Sequence, residues 1–405
     1  MATGGTNTGS SNVATVVVDA GPPCAEINAQ GQVNILYTTV VLCAPGSTTN
    51  CQTIDHVQVD TGSYGLRLIS DALQPSLVAA LPAAMSGGQA LAECTMFADG
   101  YSWGPLRMAD VQIAGEKASG LEVQVIGDPT YSTVPQNCSS SGGNQEDTVP
   151  LFGANGILGV GPFAQDCGTR CVTGTVGFYY VCASPTSCTE STVALAQQIG
   201  NPVVSFTNSS NAVQDNNGVI IELSQIAVGG APTVSGSLVF GIDTEPNNAM
   251  TATNVLPGDP STGEIITVYN SQTLSKSYID SGSNALYFVD GSFKACVNNV
   301  GFYCPPALTQ RTAVNEGTGG TPQSTVNFSV ANADSLNAAN AAFDNLAGCP
   351  VSSSGPSSQC PTSGQTFDWG LPFYFGLDVY TAIACNDAGA GCKTTSKGFG
   401  PYFAY

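Results

Sequence analysis

The fold is decided by a short stretch that occurs twice, VQVDTGS at residues 57–63 and SYIDSGS at residues 277–283. In each copy a strand-like run with alternating apolar residues leads into Asp-[Thr/Ser]-Gly-Ser. The aspartates are Asp60 and Asp280. Their separation is about the length of one lobe of a protein and far exceeds one repeat of a solenoid. The sequence therefore predicts two similar loops, one in each half of the chain.

The paired aspartates predict a specific chemistry if the two loops meet. Two neighbouring carboxylates cannot both ionise cheaply, so the pair shares one proton. Such a pair can activate a water on one side and polarise a carbonyl on the other, which is general acid–base hydrolysis of an amide. The alternative is that Asp-Thr-Gly-Ser is only a turn, because all four residues favour turns. A second matched copy behind a second strand favours the catalytic interpretation.

The neighbours of the two aspartates suit this chemistry. Gly62 and Gly282 have no Cβ, so the loops can approach closely. The hydroxyls of the last residue of each motif can donate to the outer carboxylate oxygens, and the residues after the aspartates can bond across to the opposite loop. The predicted supporting residues are Thr61, Gly62, Ser63, Ser281, Gly282 and Ser283.

Composition excludes several classes of function. The 405 residues include 29 acidic and 9 basic side chains, for a formal charge of −20. Nucleic acids and anionic membrane surfaces both need a basic footprint, so neither is an expected partner. His56 is the single histidine, which argues against His-rich metal sites. We expect no metal and no cofactor, and a polypeptide as the substrate.

The cysteines predict disulfides and an exported protein. Of the 15 cysteines, many form close pairs in sequence, and the loops between them are rich in Gly, Pro and Ser. The pairs are Cys43 and Cys51, Cys167 and Cys171, Cys182 and Cys188, Cys296 and Cys304, Cys349 and Cys360, and Cys385 and Cys392. Cys24, Cys94 and Cys138 are left over. Zinc is the rival interpretation, but the chain has no C-x-x-C motif. Disulfides imply a secreted, periplasmic or cell-surface protein.

Short strand-like segments dominate the chain. Runs rich in Val, Ile, Tyr and Phe are bounded by Gly, Pro, Asn and Ser. The predicted strands are 13–19, 33–43, 54–60, 111–113, 121–126, 203–206, 218–223, 237–240, 264–269 and 277–280. The predicted helices are 73–84, 191–199 and 336–346. This pattern predicts a mostly β protein with a few short helices.

The order along the chain predicts two lobes behind a linker. Residues 1–12 are rich in Gly, Ser, Thr and Asn and are expected to be a flexible linker. Residues 13–240 form the predicted N-terminal lobe and residues 241–405 the C-terminal lobe. No apolar run approaches the length of a membrane span, although a lipid anchor upstream of the linker stays open. We expect a monomer.

With these residues in place, the sequence resembles the pepsin-like aspartic proteases. That family is bilobal, with a double-ψ β-barrel architecture and a central cleft where the two Asp loops meet. Other segments resemble the family in the same order. Residues 155–161 and 369–376 resemble the strands that thread beneath the two Asp loops, and residues 97–104 and 110–113 resemble the flap hairpin. Residues 191–206 resemble the helix and extended segment that follow the flap. Residues 236–243 resemble the strand between the lobes, and residues 380–383 the strand after the second threading segment.

The resemblance implies a flap that covers the cleft, with Phe97, Asp99, Gly100 and Tyr101 as substrate-binding residues. Active members usually have a tyrosine where this chain has Phe97. They also have a tryptophan where it has Arg67, whose side chain we expect to point to solvent. Tyr64, Tyr101 and Trp103 are the candidates to replace the missing tyrosine hydroxyl.

The chain is also similar to a bacterial exported family without an assigned function whose members carry Asp-Thr-Gly-Ser and are often predicted as lipoproteins. The similar stretches are 18–22, 51–57 and 367–372. An aspartic endopeptidase is therefore the first expectation. The alternative is a weak or inactive relative that binds peptides or protein partners in the same cleft. A two-carboxylate glycosidase is a third possibility, disfavoured because the chain has only 2 tryptophans to make a sugar platform.

Overall fold

The computed structural model describes residues 12–23, 31–98, 100–208, 214–350, 360–361, 363–384 and 394–405. The predicted linker therefore lies almost wholly outside the described residues. The strands in these ranges are β1 (Val13–Val18), β2 (Leu36–Cys43), β3 (Cys51–Asp60), β4 (Tyr64–Ile69), β5 (Met85–Ser86), β6 (Gln89–Met96), β7 (Gly100–Ile113), β8 (Glu116–Ile126), β9 (Asn144–Gln145), β10 (Gly156–Val160), β11 (Tyr179–Ser184), β12 (Ser187–Glu190), β13 (Thr207–Asn208), β14 (Gly218–Leu223), β15 (Val234–Phe240), β16 (Val255–Pro257), β17 (Ile265–Tyr269), β18 (Gln272–Ile279), β19 (Leu286–Tyr287), β20 (Thr309–Glu316), β21 (Gln323–Val330), β22 (Ala347–Gly348), β23 (Asp368–Trp369), β24 (Asp378–Ala382) and β25 (Tyr402–Ala404).

Helices are few and short, as the sequence predicts, but two of their predicted positions are wrong. The α-helices are α1 (Pro75–Ala80), α2 (Gln136–Ser139), α3 (Val149–Phe152) and α4 (Thr169–Thr173), and the 3₁₀ turns are Ser70–Ala72, Pro129–Tyr131, Leu195–Gln197, Pro202–Ser205, Ala333–Ser335 and Leu371–Phe373. Of the predicted helix 191–199 only one 3₁₀ turn forms, and 336–346 is not helical. The predicted strand at 203–206 is a 3₁₀ turn capped by Asn201, whose side chain accepts from the Val203 amide.

The two Asp motifs lie in the same local arrangement. β3 leads into the first motif and β4 leaves it, and β10 threads between them, parallel to β3 and antiparallel to β4. In the second half β23 threads in the same way, parallel to β18 and antiparallel to β19. The amide of Gly161 donates to the Ser63 carbonyl at 2.9 Å, and the amide of Leu371 donates to the Ser283 carbonyl at 2.7 Å. The resemblance of 155–161 and 369–376 to threading segments is thus matched by their pairing.

Strands from both ends of the chain form a continuous sheet. β1 pairs with β15, β14 lies between β15 and β24, and β24 pairs with β25. Three of these strands, β1, β14 and β15, lie before residue 241, and β24 and β25 come from the end of the chain. The sheet therefore ties the two halves together by backbone hydrogen bonds, while the division at residue 240 stays a prediction.

The segment that resembles a flap is a hairpin of β6 and β7. Cys94 pairs with Trp103 and Met96 with Tyr101 along it, and the Phe97 amide donates to the Gly100 carbonyl at 2.8 Å. The disulfide Cys94–Cys138 anchors this hairpin to α2. The sequence left both of these cysteines unassigned because they are 44 residues apart.

Five of the six disulfides predicted from spacing are confirmed. They are Cys43–Cys51, Cys167–Cys171, Cys182–Cys188, Cys296–Cys304 and Cys349–Cys360. The predicted pair of Cys385 and Cys392 lies outside the described residues, as does Cys24. Disulfides in this number are typical of exported proteins, which fold in an oxidising compartment. In the described ranges, no helix is long and apolar enough to cross a membrane.

Aromatic side chains form the core beneath the second Asp motif. The rings of Phe288 and Phe367 stack with centroids 4.7 Å apart, and Phe367 stacks on Trp369 at 4.1 Å. All three side chains are fully buried. Trp369 also donates from its indole to the Thr267 hydroxyl. This packing holds β23 in place beside β18, the strand that leads into the second Asp motif.

Candidate active site

Asp60 and Asp280 stand at the ends of β3 and β18, and the two loops meet face to face. A Cβ placed on Gly62 would lie 2.7 Å from Cγ of Asp280, and a Cβ placed on Gly282 would lie 2.6 Å from Cγ of Asp60. No real Cβ tolerates such contacts. Glycine is therefore required at both positions for the carboxyls to meet. Each glycine amide also donates to the aspartate of its own motif, at 2.6 and 2.8 Å.

The residues after the aspartates cross-link the two loops. The Thr61 amide donates to Oγ of Ser281 at 3.1 Å, and the Ser281 amide donates to Oγ1 of Thr61 at 2.9 Å. The two hydroxyls then donate to the carbonyls that precede the opposite aspartate, those of Ile279 and Val59. Both side chains are buried, so these four hydrogen bonds fix the distance between the loops. Thr61 and Ser281 thus lie where the sequence predicts.

The ionisation of Asp280 depends on the carboxyls around it. Burial, the neighbouring Asp60 and a third carboxyl, Asp368, together raise the pKa of Asp280 well above its usual range, against the Gly282 amide. Asp60 is only 7% exposed. A carboxyl that keeps its proton beside a second carboxyl is the state that acid–base hydrolysis needs.

The last residues of the two motifs differ in their contacts. Ser283 donates to Oδ2 of Asp280 at 3.0 Å, as expected. The corresponding expectation for Ser63 is wrong, because its Oγ is buried and makes no hydrogen bond within the described ranges. The site is therefore less symmetric than its two motifs.

A cavity of about 390 Å³ opens at the two aspartates. Phe97 and Ala98, at the tip of the β6–β7 hairpin, contribute to its wall. Of the other predicted flap residues, Asp99 lies outside the described residues. Gly100 pairs with Asn144 of β9, and Tyr101 packs in the core with Trp103 and Cys94. Phe97 is thus the predicted flap side chain that the fold brings to the cavity.

Among the candidates for a substitute tyrosine, Tyr64 is the one beside the aspartates. It lines the cavity, and burial followed by the charges of Asp60 and Asp280 raises the pKa of its phenol. Trp103 instead donates to the Tyr131 carbonyl at 2.9 Å in the core. Tyr64 is therefore the candidate that the fold places beside the two aspartates, and its phenol keeps its proton.

Arg67 does not point to solvent, which corrects the sequence-based expectation. Its side chain is 1% exposed and forms ion pairs with Glu93 at 2.7 Å and Asp166 at 3.0 Å. Its Nε also donates to the Thr95 hydroxyl, at 2.8 Å. Burial opposes the charged form, but the two carboxylates outweigh it and raise the pKa of Arg67. Because both partners come from distant strands and loops, sequence spacing gave no sign of this network.

Two further contacts near the aspartates were missed as well. The Tyr374 hydroxyl bonds Oγ1 of Thr61 at 2.9 Å, and the Gln58 side-chain amide donates to the Gly282 carbonyl at 2.9 Å. Gln58 lies two residues before Asp60, so strand alternation could have placed it on the same face. Tyr374 comes from the far end of the chain, and only the threading of β23 brings it there.

Within the described part of the chain, the cluster with metal-ligand geometry is Cys296, Cys304 and Asp334. The two cysteines form a disulfide, and a metal needs thiolates. Asp334 instead accepts from the amides of residues 297–299. The cluster is therefore a stapled turn.

Comparison with known proteins identifies the fold and the sequence family. An aspartic proteinase from Irpex lacteus has a similar structure over 91% of this chain and 93% of that chain, with 16% sequence identity and a TM-score of 0.50. The chain thus has the mostly β fold of pepsin-like aspartic proteinases, as the sequence predicts. By sequence, the chain belongs to the family described as "Protein of unknown function (DUF3443)", which matches residues 8–405. No curated protein matches it.

Proposed function

We propose that this protein is an aspartic endopeptidase with Asp60 and Asp280 as its catalytic pair. The observation that supports this most is the cross-linked arrangement of the two loops, which holds one proton-retaining carboxyl against another in an accessible cavity. Asp60 as a carboxylate takes a proton from a water between the two groups. Protonated Asp280 donates to the carbonyl oxygen of the peptide, and the water oxygen adds to the carbonyl carbon to give a tetrahedral diol. The C–N bond of the diol then breaks: Asp60 passes its proton to the leaving nitrogen, and a hydroxyl of the diol returns a proton to Asp280 as the carboxylic acid forms. No covalent bond forms between the enzyme and the substrate.

The substrate in this proposal is an extended polypeptide, and the β6–β7 hairpin closes over it. Phe97 contributes an apolar surface and Tyr64 a hydroxyl. The protein acts as a monomer after export, in a secreted, periplasmic or surface-attached form. An upstream lipid anchor fits a surface-attached form. Thr61, Gly62, Ser63, Ser281, Gly282 and Ser283 support the pair.

The second candidate function is peptide or protein binding in the same cavity with weak or no hydrolysis. The observation that favours it is the hairpin tip, where Phe97 has no hydroxyl and packs edge-on against Phe152 at 5.7 Å. A hairpin held in that position covers the pair without donating to a reacting carbonyl.

One experiment separates the two functions. The purified protein is incubated with an unbiased peptide pool from about pH 2.5 to about pH 7.5, with and without a statine-type transition-state mimic. Asp60→Asn is the test variant, and Asp71→Asn, at an exposed position of the same half, is the matched control. Cleavage that the mimic and Asp60→Asn abolish, and that Asp71→Asn leaves, supports the peptidase. Peptide binding without cleavage at any pH supports the binding protein.

A further inference from the structure

A third buried carboxyl lies behind the two aspartates. Asp368 is 4% exposed, and it sits on β23 between Tyr278 of β18 and Tyr287 of β19. Its Oδ1 makes no hydrogen bond within the described ranges. An ionised carboxylate left without donors in such a place is costly. The Asp368 carboxyl is therefore expected to be protonated, unless its charge has a role in the site.

The other half of the protein shows that the fold itself does not need an acid there. Ile157 of β10 pairs with Gln58 two residues before Asp60, and with Arg67 seven residues after it. Asp368 pairs with the residues at the same two offsets from Asp280. Ile157 and Asp368 are thus equivalent positions. The first half of the protein has the apolar Ile157 at this position, and the second half has the carboxyl of Asp368.

The serine hydroxyls of the two Asp motifs differ in their hydrogen bonds, and the half with the bonded serine is the half that has Asp368. Ser63 lies in the half of the protein that has Ile157, and its hydroxyl makes no hydrogen bond in the described part of the chain. Ser283 donates to Asp280 at 3.0 Å and also interacts with Asp368. A hydroxyl has one hydrogen and two lone pairs. If that hydrogen goes to Asp280, Asp368 can bond the same oxygen only by donating a proton of its own.

We propose that Asp368 is a positioning residue that is protonated and keeps its proton. Its carboxyl O–H donates a hydrogen bond to the Ser283 oxygen, so the Ser283 hydroxyl donates its own hydrogen to Asp280. This rests on the proposed peptidase function. The titratable groups that face Asp368 are Asp60, Asp280, Tyr278 and Tyr374.

Loss of the Asp368 proton would have two effects on the hydrogen bond from Ser283 to Asp280 and on the catalytic pair. The carboxylate would compete with Asp280 for the single Ser283 hydrogen, and it would add a negative charge behind a pair that already holds one. Burial, opposed by the Ser283 hydrogen bond, and then the charge of Asp60 raise the pKa of Asp368 well above its usual range, which keeps the proton in place in acid. The upper pH limit of activity is therefore set by Asp368 together with the catalytic pair.

The test compares three variants with the native protein. Asp368→Asn cannot ionise but can still donate to Ser283. Asp368→Ile can do neither, and the equivalent Ile157 shows that the fold accepts this side chain. Glu116→Gln is the control, because Glu116 also has a raised pKa, about 8, but faces Asp215 and Glu245 instead of the catalytic pair.

In the pH profile of kcat/KM, Asp368→Asn should extend the upper limb by roughly one pH unit. Asp368→Ile should lower the rate roughly tenfold across the profile, and Glu116→Gln should leave the limb in place. A limb that Asp368→Asn leaves unmoved or shifts to lower pH overturns the proposal. So does an Asp368→Ile protein with the native rate.

A second measurement does not depend on peptidase activity. Infrared difference spectra near pH 6 should contain a protonated-carboxyl band in the native protein that Asp368→Asn removes. Native and variant spectra without that difference overturn the proposal even if the enzyme is active. If the native protein cleaves nothing, the proposed function fails, and the infrared band still decides whether Asp368 holds a proton.

Discussion

The hydrogen bonds between the two loops predict a large difference between two chemically identical substitutions, Ser281→Ala and Ser63→Ala. Ser281 is fully buried, and its hydroxyl accepts from the Thr61 amide at 3.1 Å and donates to the Val59 carbonyl at 2.8 Å. Removing it leaves a buried amide and a buried carbonyl short of a partner. The hydroxyl of Ser63 makes no hydrogen bond in the described ranges, so its removal leaves nothing unsatisfied.

The expected magnitudes follow from the number of groups left unpaired. A buried donor or acceptor without a partner costs about 1–3 kcal/mol. The amide bears most of this cost, because the carbonyl can keep a second partner in the sheet. Ser281→Ala should therefore lower the free energy of unfolding by about 2–4 kcal/mol, and Ser63→Ala should change it by less than about 0.5 kcal/mol.

The assay is urea unfolding with the disulfides intact, followed by tryptophan fluorescence, because Trp369 is buried next to the second loop. The free energy is compared at equal m-values, since a changed m would mean a changed unfolding reaction. Equal effects of the two substitutions, or a loss below about 1 kcal/mol for Ser281→Ala, would refute the claim that hydrogen bonds hold the loops together.

The remaining predictions concern charge, pH and cysteines. Arg67→Met should destabilise the protein by about 3–5 kcal/mol in the same urea assay, because it leaves the buried Glu93 carboxylate without its cation; Asp166 loses a partner at a smaller cost, because burial and Glu93 raise its pKa and favour its protonated form. An unchanged free energy of unfolding would mean that water reaches Glu93. Burial, together with nearby carboxyls, raises the pKa of Glu116 to about 8 from 4.5, so the folded state binds the proton more tightly and stability should fall as pH rises between these values. Glu116→Gln should flatten that part of a melting-temperature profile, and an unchanged slope would contradict it. Alkylation under denaturing, non-reducing conditions should label at most three of the 15 cysteines, because twelve of them form the six disulfides; mass spectrometry that finds more would overturn the pairing.

Local sequence was enough for the features that depend on neighbours in the chain. The strands into Asp60 and Asp280 follow from alternating apolar residues, and the close disulfides follow from short Gly- and Ser-rich loops. The helices predicted at 191–199 and 336–346 failed because their buried apolar residues pack in two separate clusters with residues from other parts of the chain. Tertiary packing overrides a weak local preference of this kind.

The sequence by itself determined that two carboxyl loops exist, that glycine lets them approach, and that the chain is mostly β and cross-linked by disulfides. Only the tertiary structure decided what surrounds the loops. Arg67 and its two carboxylates meet from separate elements, and Asp368 reaches Asp280 because β23 threads beside β18. The physical reason is range: strand pattern and turn chemistry act over a few residues, whereas burial and charge act on whatever the folded chain brings together.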